Sequence, residues 1–205
     1  MNALPFRVLI ITDWALGEAA LLSRLEQALS AGPHIAVQHR HPGATDRRFF
    51  DEAQQLHRLC EAARAPLFIN SRVDVALALG AHVHCTGTSL PPREVRRVLS
   101  IAGAETRFIS CAVHGPGDEV EGSDLALVSP VFPPRSKPDD ARATLGPDGF
   151  ARLSATLPCP AFALGGIETT NAGSVKAAGV AVISAVLHSS DPQAAARALL
   201  TATSR

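Results

Sequence analysis

The chain has 205 residues, 46% of them hydrophobic and 19% charged, with 19 lysines and arginines balancing 19 aspartates and glutamates. That length fits one ordinary domain, or one compact barrel with a large core. A net charge of zero gives no electrostatic reason to expect nucleic acid or an anionic membrane as partner, and no apolar run approaches the roughly 20 residues of a membrane span.

Four cysteines, Cys60, Cys85, Cys111 and Cys159, stand far apart with no CxxC pair. A zinc site or a disulfide framework is therefore not expected, and the reducing cytoplasm is the expected compartment. Arg7 runs on through Val8 into Leu9-Ile10-Ile11-Thr12-Asp13, too short an apolar segment for a signal peptide. Arginine is abundant while lysine occurs only at Lys137 and Lys176, which singles out both lysines for inspection.

Taken in chain order, short apolar and β-branched runs predict buried strands over residues 8–11, 35–40, 67–70, 82–85, 108–112, 125–129, 161–165 and 181–184. Leu21, Leu22, Leu25 and Leu29 form an apolar helical stripe between the first two, and Phe49, Phe50, Ala53, Leu56, His57 and Cys60 form another between the second and third. Residues 73–79, 92–100, 150–157, 171–178 and 192–203 read as helices, two of them with proline near the first turn, where its missing N–H is harmless. The crossover over 115–123 is short and rich in glycine and acid, so it holds one helical turn at most. Eight strand–crossover units of about 25 residues each predict a single (β/α)8 TIM barrel spanning residues 1–205. A doubly wound open sheet is the rival, disfavoured by the count of eight and by the lack of GxGxxG after the first strand.

In a barrel the functional residues gather at the C-terminal ends of the strands. Gly165 and Gly166, after the seventh strand and ahead of an expected helix, allow backbone N–H groups to approach a phosphate, with Ser184 on the eighth strand as a second wall; a plain tight turn is the alternative. Gln38 and Arg40 alternate on the second strand and point together to the lumen mouth, unless that strand end is simply solvated. Ser136 and Lys137 fit a phosphate-covering loop, or an ordinary solvated one. Asn70 is placed to bind ligand or to cap the next helix. His84 and His114, both at strand ends, are the acid/base candidates, with structural hydrogen bonding as the alternative. His39 and His41 have the opposite phase and face the helices. Beyond Asp13 no carboxylate stands at a strand end, so no metal site is expected.

Read together, Leu9-Ile10-Ile11-Thr12-Asp13, Val37-Gln38-His39-Arg40, Phe68-Ile69-Asn70-Ser71-Arg72-Val73-Asp74, Val83-His84, Ala112-Val113-His114, Ser129-Pro130-Val131-Phe132-Pro133, Ala163-Leu164-Gly165-Gly166-Ile167 and Val182-Ile183-Ser184-Ala185 resemble the thiamine phosphate synthase/TenI family, in that family's order and from end to end. The resemblance implies the same barrel. It also implies one of two activities: joining a pyrimidine pyrophosphate to a thiazole phosphate with magnesium, or metal-free aromatisation of a thiazole carboxylate phosphate by a TenI-type tautomerase.

The chain departs from the synthase pattern at several points. In the family's Gln-x-Arg-x-Lys, Gln38 and Arg40 match while Pro42 replaces the lysine. Ser71 and Ser89 stand where the family carries its magnesium-binding aspartates, Ala112 replaces a serine, and Pro134-Arg135-Ser136-Lys137 stands for Thr-x-Thr-Lys. Pro130 occupies the position of the tautomerase histidine. The resemblance therefore favours a cofactor-free, TenI-type isomerase on a phosphorylated thiazole. Synthase chemistry with magnesium and a non-catalytic phosphate-binding barrel are the alternatives, and assembly as a homo-oligomer stays open.

Overall fold

The computed structural model describes residues 4–133 and 143–204. Eight strands, β1 (Val8–Ile11), β2 (Ile35–His39), β3 (Leu67–Asn70), β4 (His82–Cys85), β5 (Ile109–Val113), β6 (Leu125–Val128), β7 (Ala161–Leu164) and β8 (Gly179–Val182), pair in sequence order. All pairs are parallel, and β8 returns to β1, closing the barrel. Outside lie α1 (Glu18–Leu29), α2 (Asp46–Ala63), α3 (Val73–Leu79), α4 (Pro92–Ile101), α5 (Gly146–Ser154), α6 (Ser184–Leu187) and α7 (Pro192–Ala202). No described helix is long and apolar enough to cross a membrane.

The alternation of each strand divides the apolar residues into two cores. The larger lies between barrel and helices, where Val8, Ile10, Val37, Ile69 and Val83 meet Leu21, Leu25, Phe49, Leu56 and Leu99. The smaller fills the lumen with Leu9, Ile11, Ala36, Phe68, Leu127, Phe162 and Ala181. Phe6 plugs the N-terminal end, edge-on to Phe68 and Phe162 at 5.5 Å between ring centres. Gly179 completes that plug, because a Cβ there would collide with the Phe162 ring and the Arg7 carbonyl. One end of the barrel is sealed by aromatic rings, so a ligand enters from the other.

Three expected elements differ. The strand expected over 181–184 runs from Gly179 to Val182, and Ser184 opens α6 instead. The helix expected over 150–157 begins earlier, at Gly146, with Pro147 in its first turn. Over 171–178 there is only a 3-10 turn, Ala172–Ser174. Between β5 and β6 the described chain has no helix, as the glycine- and acid-rich crossover predicts.

Candidate active site

Above the apolar lumen layer the same alternation brings up polar side chains. Gln38 of β2 is buried and donates from Nε2 to Asn70 Oδ1 of β3 at 3.3 Å. Asn70 Nδ2 donates onward to Ser71 Oγ at 3.1 Å, and Ser71 Oγ lies 3.2 Å from Thr86 Oγ1. Asn70 thus faces the mouth, while α3 has Arg72 at its N-cap position and no side-chain cap. Gln38 Oε1 is buried with no hydrogen-bond partner among the described residues. A buried acceptor without a donor is costly, so a donor on a ligand is what this atom lacks.

Arg40, just past β2, is half-buried. Its backbone is clamped by Thr12 of the β1 end: Arg40 N donates to Thr12 Oγ1 at 2.9 Å, and that hydroxyl donates to the Arg40 carbonyl at 3.1 Å. Thr12, Asp13, Trp14, Arg40 and His41 line a cavity of about 310 Å³ between the β1 and β2 ends.

His84 and His114 occupy different environments. His84 is buried, with Nδ1 2.9 Å from Ser110 Oγ. Burial first, then the charges of Arg40 and His114, pushes its pKa down to about 3. The ring is neutral at physiological pH and serves as a hydrogen-bonding wall. His114, past β5, is exposed and oriented: Nδ1–H donates to the Ser129 carbonyl at 2.9 Å, while Asp118 accepts from the backbone N–H groups of His114 and Gly115 at 2.6 and 3.0 Å. That tautomer puts the lone pair of the neutral ring on Nε2.

Gly165 and Gly166 sit at φ +89° and +61°, a region that favours glycine. They are also pressed against the loop after β6. A Cβ on Gly165 would lie 2.8 Å from Pro130 Cα, and one on Gly166 2.7 Å from the Phe132 carbonyl carbon. Phe132 N donates to the Gly165 carbonyl at 3.0 Å, so the two loops are laced together. The helix expected to begin near Asn171 is absent; Asn171 instead donates to the Gly166 carbonyl at 2.9 Å and accepts from Glu168 N at 2.8 Å. Ser184, at the start of α6, stands half-buried after the neighbouring strand β8. Ser136 and Lys137 lie outside the described residues.

The magnesium that the family resemblance implies does not fit the described residues around Ser71 and Ser89. Ser71, at φ +62°, is engaged with Asn70 and Thr86. Ser89 Oγ accepts from Thr86 N at 2.7 Å and donates to the Thr86 carbonyl at 3.0 Å. Neutral hydroxyls already engaged in hydrogen bonds within the protein make poor ligands for a hard dication. Among the described residues no three His, Cys, Asp or Glu side chains gather where a metal could sit.

His39 and His41 do face the helices, but they meet a buried carboxylate there, Glu52 of α2. Position 52 shares a helix face with Phe49, Ala53 and Leu56, which is the only sign of its burial in the sequence.

A family model described as thiamine monophosphate synthase matches residues 8–187. The thiamine-phosphate synthase of Chloroflexus aurantiacus is 35% identical over 204 residues, covering 97% of this chain and 93% of that protein. The enzyme of the same name from a Roseiflexus species is 38% identical over 200 residues, covering 94% of this chain and 83% of that one. Among solved structures, the thiamine phosphate pyrophosphorylase of Pyrococcus furiosus superposes with a TM-score of 0.82 at 28% identity, covering 97% of this chain and 95% of its own.

Proposed function

Because this chain belongs to the thiamine monophosphate synthase family, we propose that it catalyses the reaction its curated relatives are named for, joining a pyrimidine pyrophosphate to a thiazole phosphate. The observation that carries this reading is the Gln38 amide. Its Nε2 is tied to Asn70 while Oε1 is left buried and unpaired among the described residues. The exocyclic amine of thiamine's pyrimidine is a donor of the right kind for that acceptor, whereas a thiazole carboxylate phosphate offers it no N–H. Arg40 then faces the negative charge of the departing pyrophosphate. The glycine turn after β7 and Ser184 at the α6 start receive the phosphate of the thiazole; the first N–H groups of α6 lack intrahelical acceptors. The reaction belongs in the cytoplasm, where four unpaired buried thiols stay reduced.

A second reading, the metal-free TenI-type tautomerase, is favoured by Ser71 and Ser89, whose hydroxyls replace the family's carboxylates. In it His114 is the base, since His84 is held neutral too far below neutrality to exchange protons there.

Incubation with pyrimidine pyrophosphate and thiazole phosphate, with product read by chromatography, separates the readings. Thiamine phosphate should form, and Gln38→Leu should lower kcat/KM by about tenfold or more, the cost of losing a buried pairing. If no thiamine phosphate forms with or without magnesium while a thiazole carboxylate phosphate is aromatised, the tautomerase reading replaces it. In that case His114→Asn should cut turnover by about 10²-fold with little change in affinity. Binding of thiazole phosphate without either turnover would leave a non-catalytic barrel.

A further inference from the structure

We propose that Glu52, a carboxylate buried outside the barrel wall, is a positioning residue for the anionic end of the substrate: through His41 it holds the turn that carries Arg40 into the mouth. The inference rests on the reading of Arg40 as the anion-binding group.

The Glu52 side chain is 3% exposed, yet α2 could fill that place with an apolar residue at no cost in desolvation. What it meets there is specific. His41 Nδ1–H donates to both carboxylate oxygens, at 2.8 and 3.0 Å. From the solvent side Arg48, one turn earlier on α2 and 62% exposed, donates Nε–H to Oε1 at 2.8 Å. Below, His39 Nε2 stands 3.7 Å away and gives its hydrogen bond to the Phe49 carbonyl. The His41 ring is held on its open face as well, stacked on Trp14 at 5.3 Å with the planes 6° apart. Trp14 in turn meets His39 edge-on at 5.4 Å.

Residues 40 and 41 are thereby gripped from two sides. Thr12 fixes the backbone of Arg40, and Glu52 with Trp14 fixes the side chain of its neighbour. Beyond them the chain runs into Pro42 and Gly43, the latter at φ +87°, so no regular structure restrains the turn from that direction. Ion pairing of Glu52 with Arg48 alone would stabilise α2 without reaching the mouth; the hydrogen bond to His41 is the link that does. Positional error of about 1 Å in a group that must meet a phosphate oxygen is enough to cost much of its contribution.

Inorganic pyrophosphate is the probe, titrated into the full chain by calorimetry and by the emission of Trp14, the chain's one tryptophan. Arg40→Gln should weaken binding about tenfold or more, and Glu52→Gln about tenfold, with unchanged far-UV circular dichroism. In the Arg40→Gln background Glu52→Gln should cost nothing further, because a group acting only through Arg40 has nothing left to position. Trp14 emission of Glu52→Gln should change before ligand is added, as the stacked ring loosens. Full affinity in Glu52→Gln, or losses that multiply in the double variant, would overturn the positioning role while leaving the Arg40 reading intact. Unchanged affinity in Arg40→Gln, or no binding by the parent, would instead remove the premise. Should Glu52→Gln not fold, His41→Asn cuts the same link from the loop side, and the same cycle with Arg40 decides.

Discussion

Three histidines, His39, His82 and His84, are held neutral by burial, each by a visible device. His82 Nδ1 accepts the Phe108 backbone N–H at 3.0 Å, a bond that a proton on that nitrogen would break. His39 gives Nε2–H to a carbonyl and keeps its bare Nδ1 buried without a partner among the described atoms. Desolvation lowers the pKa of both to about 4 and that of His84 to about 3. In the unfolded chain these rings take up protons near pH 6.5, so between about 6.5 and 4 the unfolded state binds more protons than the native one. Stability conferred by the neutral rings is complete above pH 6.5 and drains away as the pH falls, at about 1.4 kcal/mol per pH unit for each proton. Chemical denaturation between pH 7 and 4.5 should show a steep loss approaching three protons in slope. Imidazole resonances of these residues should not titrate above pH 5, and a His84 that titrates near 6.5 would contradict its assignment as a neutral wall. The phase of alternation in the sequence locates His39 and His84 correctly on opposite faces of the barrel wall. What it lacks is depth: nothing in the local pattern distinguishes a rim histidine such as His114 from one submerged under Arg40.

At the scale of elements, apolar periodicity found seven of the eight strands to within a residue or so, because a strand buried on both faces is a run of apolar side chains whatever its neighbours. β8 starts two residues before the apolar run predicts, at Gly179, where the Phe162 ring across the lumen and the Arg7 carbonyl leave no room for a side chain. The missing helix at 171–178 has a similar cause. Gly173 weakens it from within, and Asn171, a plausible helix start, spends its side chain on Gly166 and Glu168. That anchoring changes what a substitution in the Gly165-Gly166 turn can report. Gly166→Ala combines a left-handed backbone with a close approach to Phe132 and Pro133, and should cost about 1–3 kcal/mol of stability, read as a lower melting temperature, whatever it does to ligand. Ser184→Asp is the cleaner variant. It places a negative charge at the helix N-terminus, where the fold tolerates it or gains slightly, and against the phosphate proposed to bind there. Its melting temperature should hold while affinity for thiazole phosphate falls by about tenfold or more. Unchanged affinity would remove the α6 start from the phosphate site.

On the scale of the whole molecule the closed barrel fixes where charge can gather, and the described mouth gathers little of it. Eight parallel strands deliver their C-terminal ends to one rim, and β3 and β4 bring Ser71, Thr86 and Ser89 together there. The order of strands makes that convergence legible in the sequence, and family resemblance makes the loss of two aspartates legible as well. The hydrogen bonds at those positions, Ser71 to the Thr86 hydroxyl and Ser89 to the Thr86 backbone, depend on side-chain rotamers and on the left-handed backbone of Ser71, neither of which a strand pattern encodes. This arrangement separates a cation-assisted from a cation-free mouth. Magnesium titrated into the parent protein should show no saturable binding at millimolar concentration in calorimetry. Ser71→Asp should create it, and aspartate is among the residues that accept the φ +62° of that position, so the variant should fold. Ser89→Asp is the weaker half of the pair, because an aspartate can accept the Thr86 N–H but cannot donate to the Thr86 carbonyl as Ser89 does. Turnover by the parent should therefore be insensitive to a chelator, and that of Ser71→Asp should rise when magnesium is supplied. A parent whose activity vanishes with the chelator and returns with magnesium would show that the cation is held by other groups than the hydroxyls of β3 and β4.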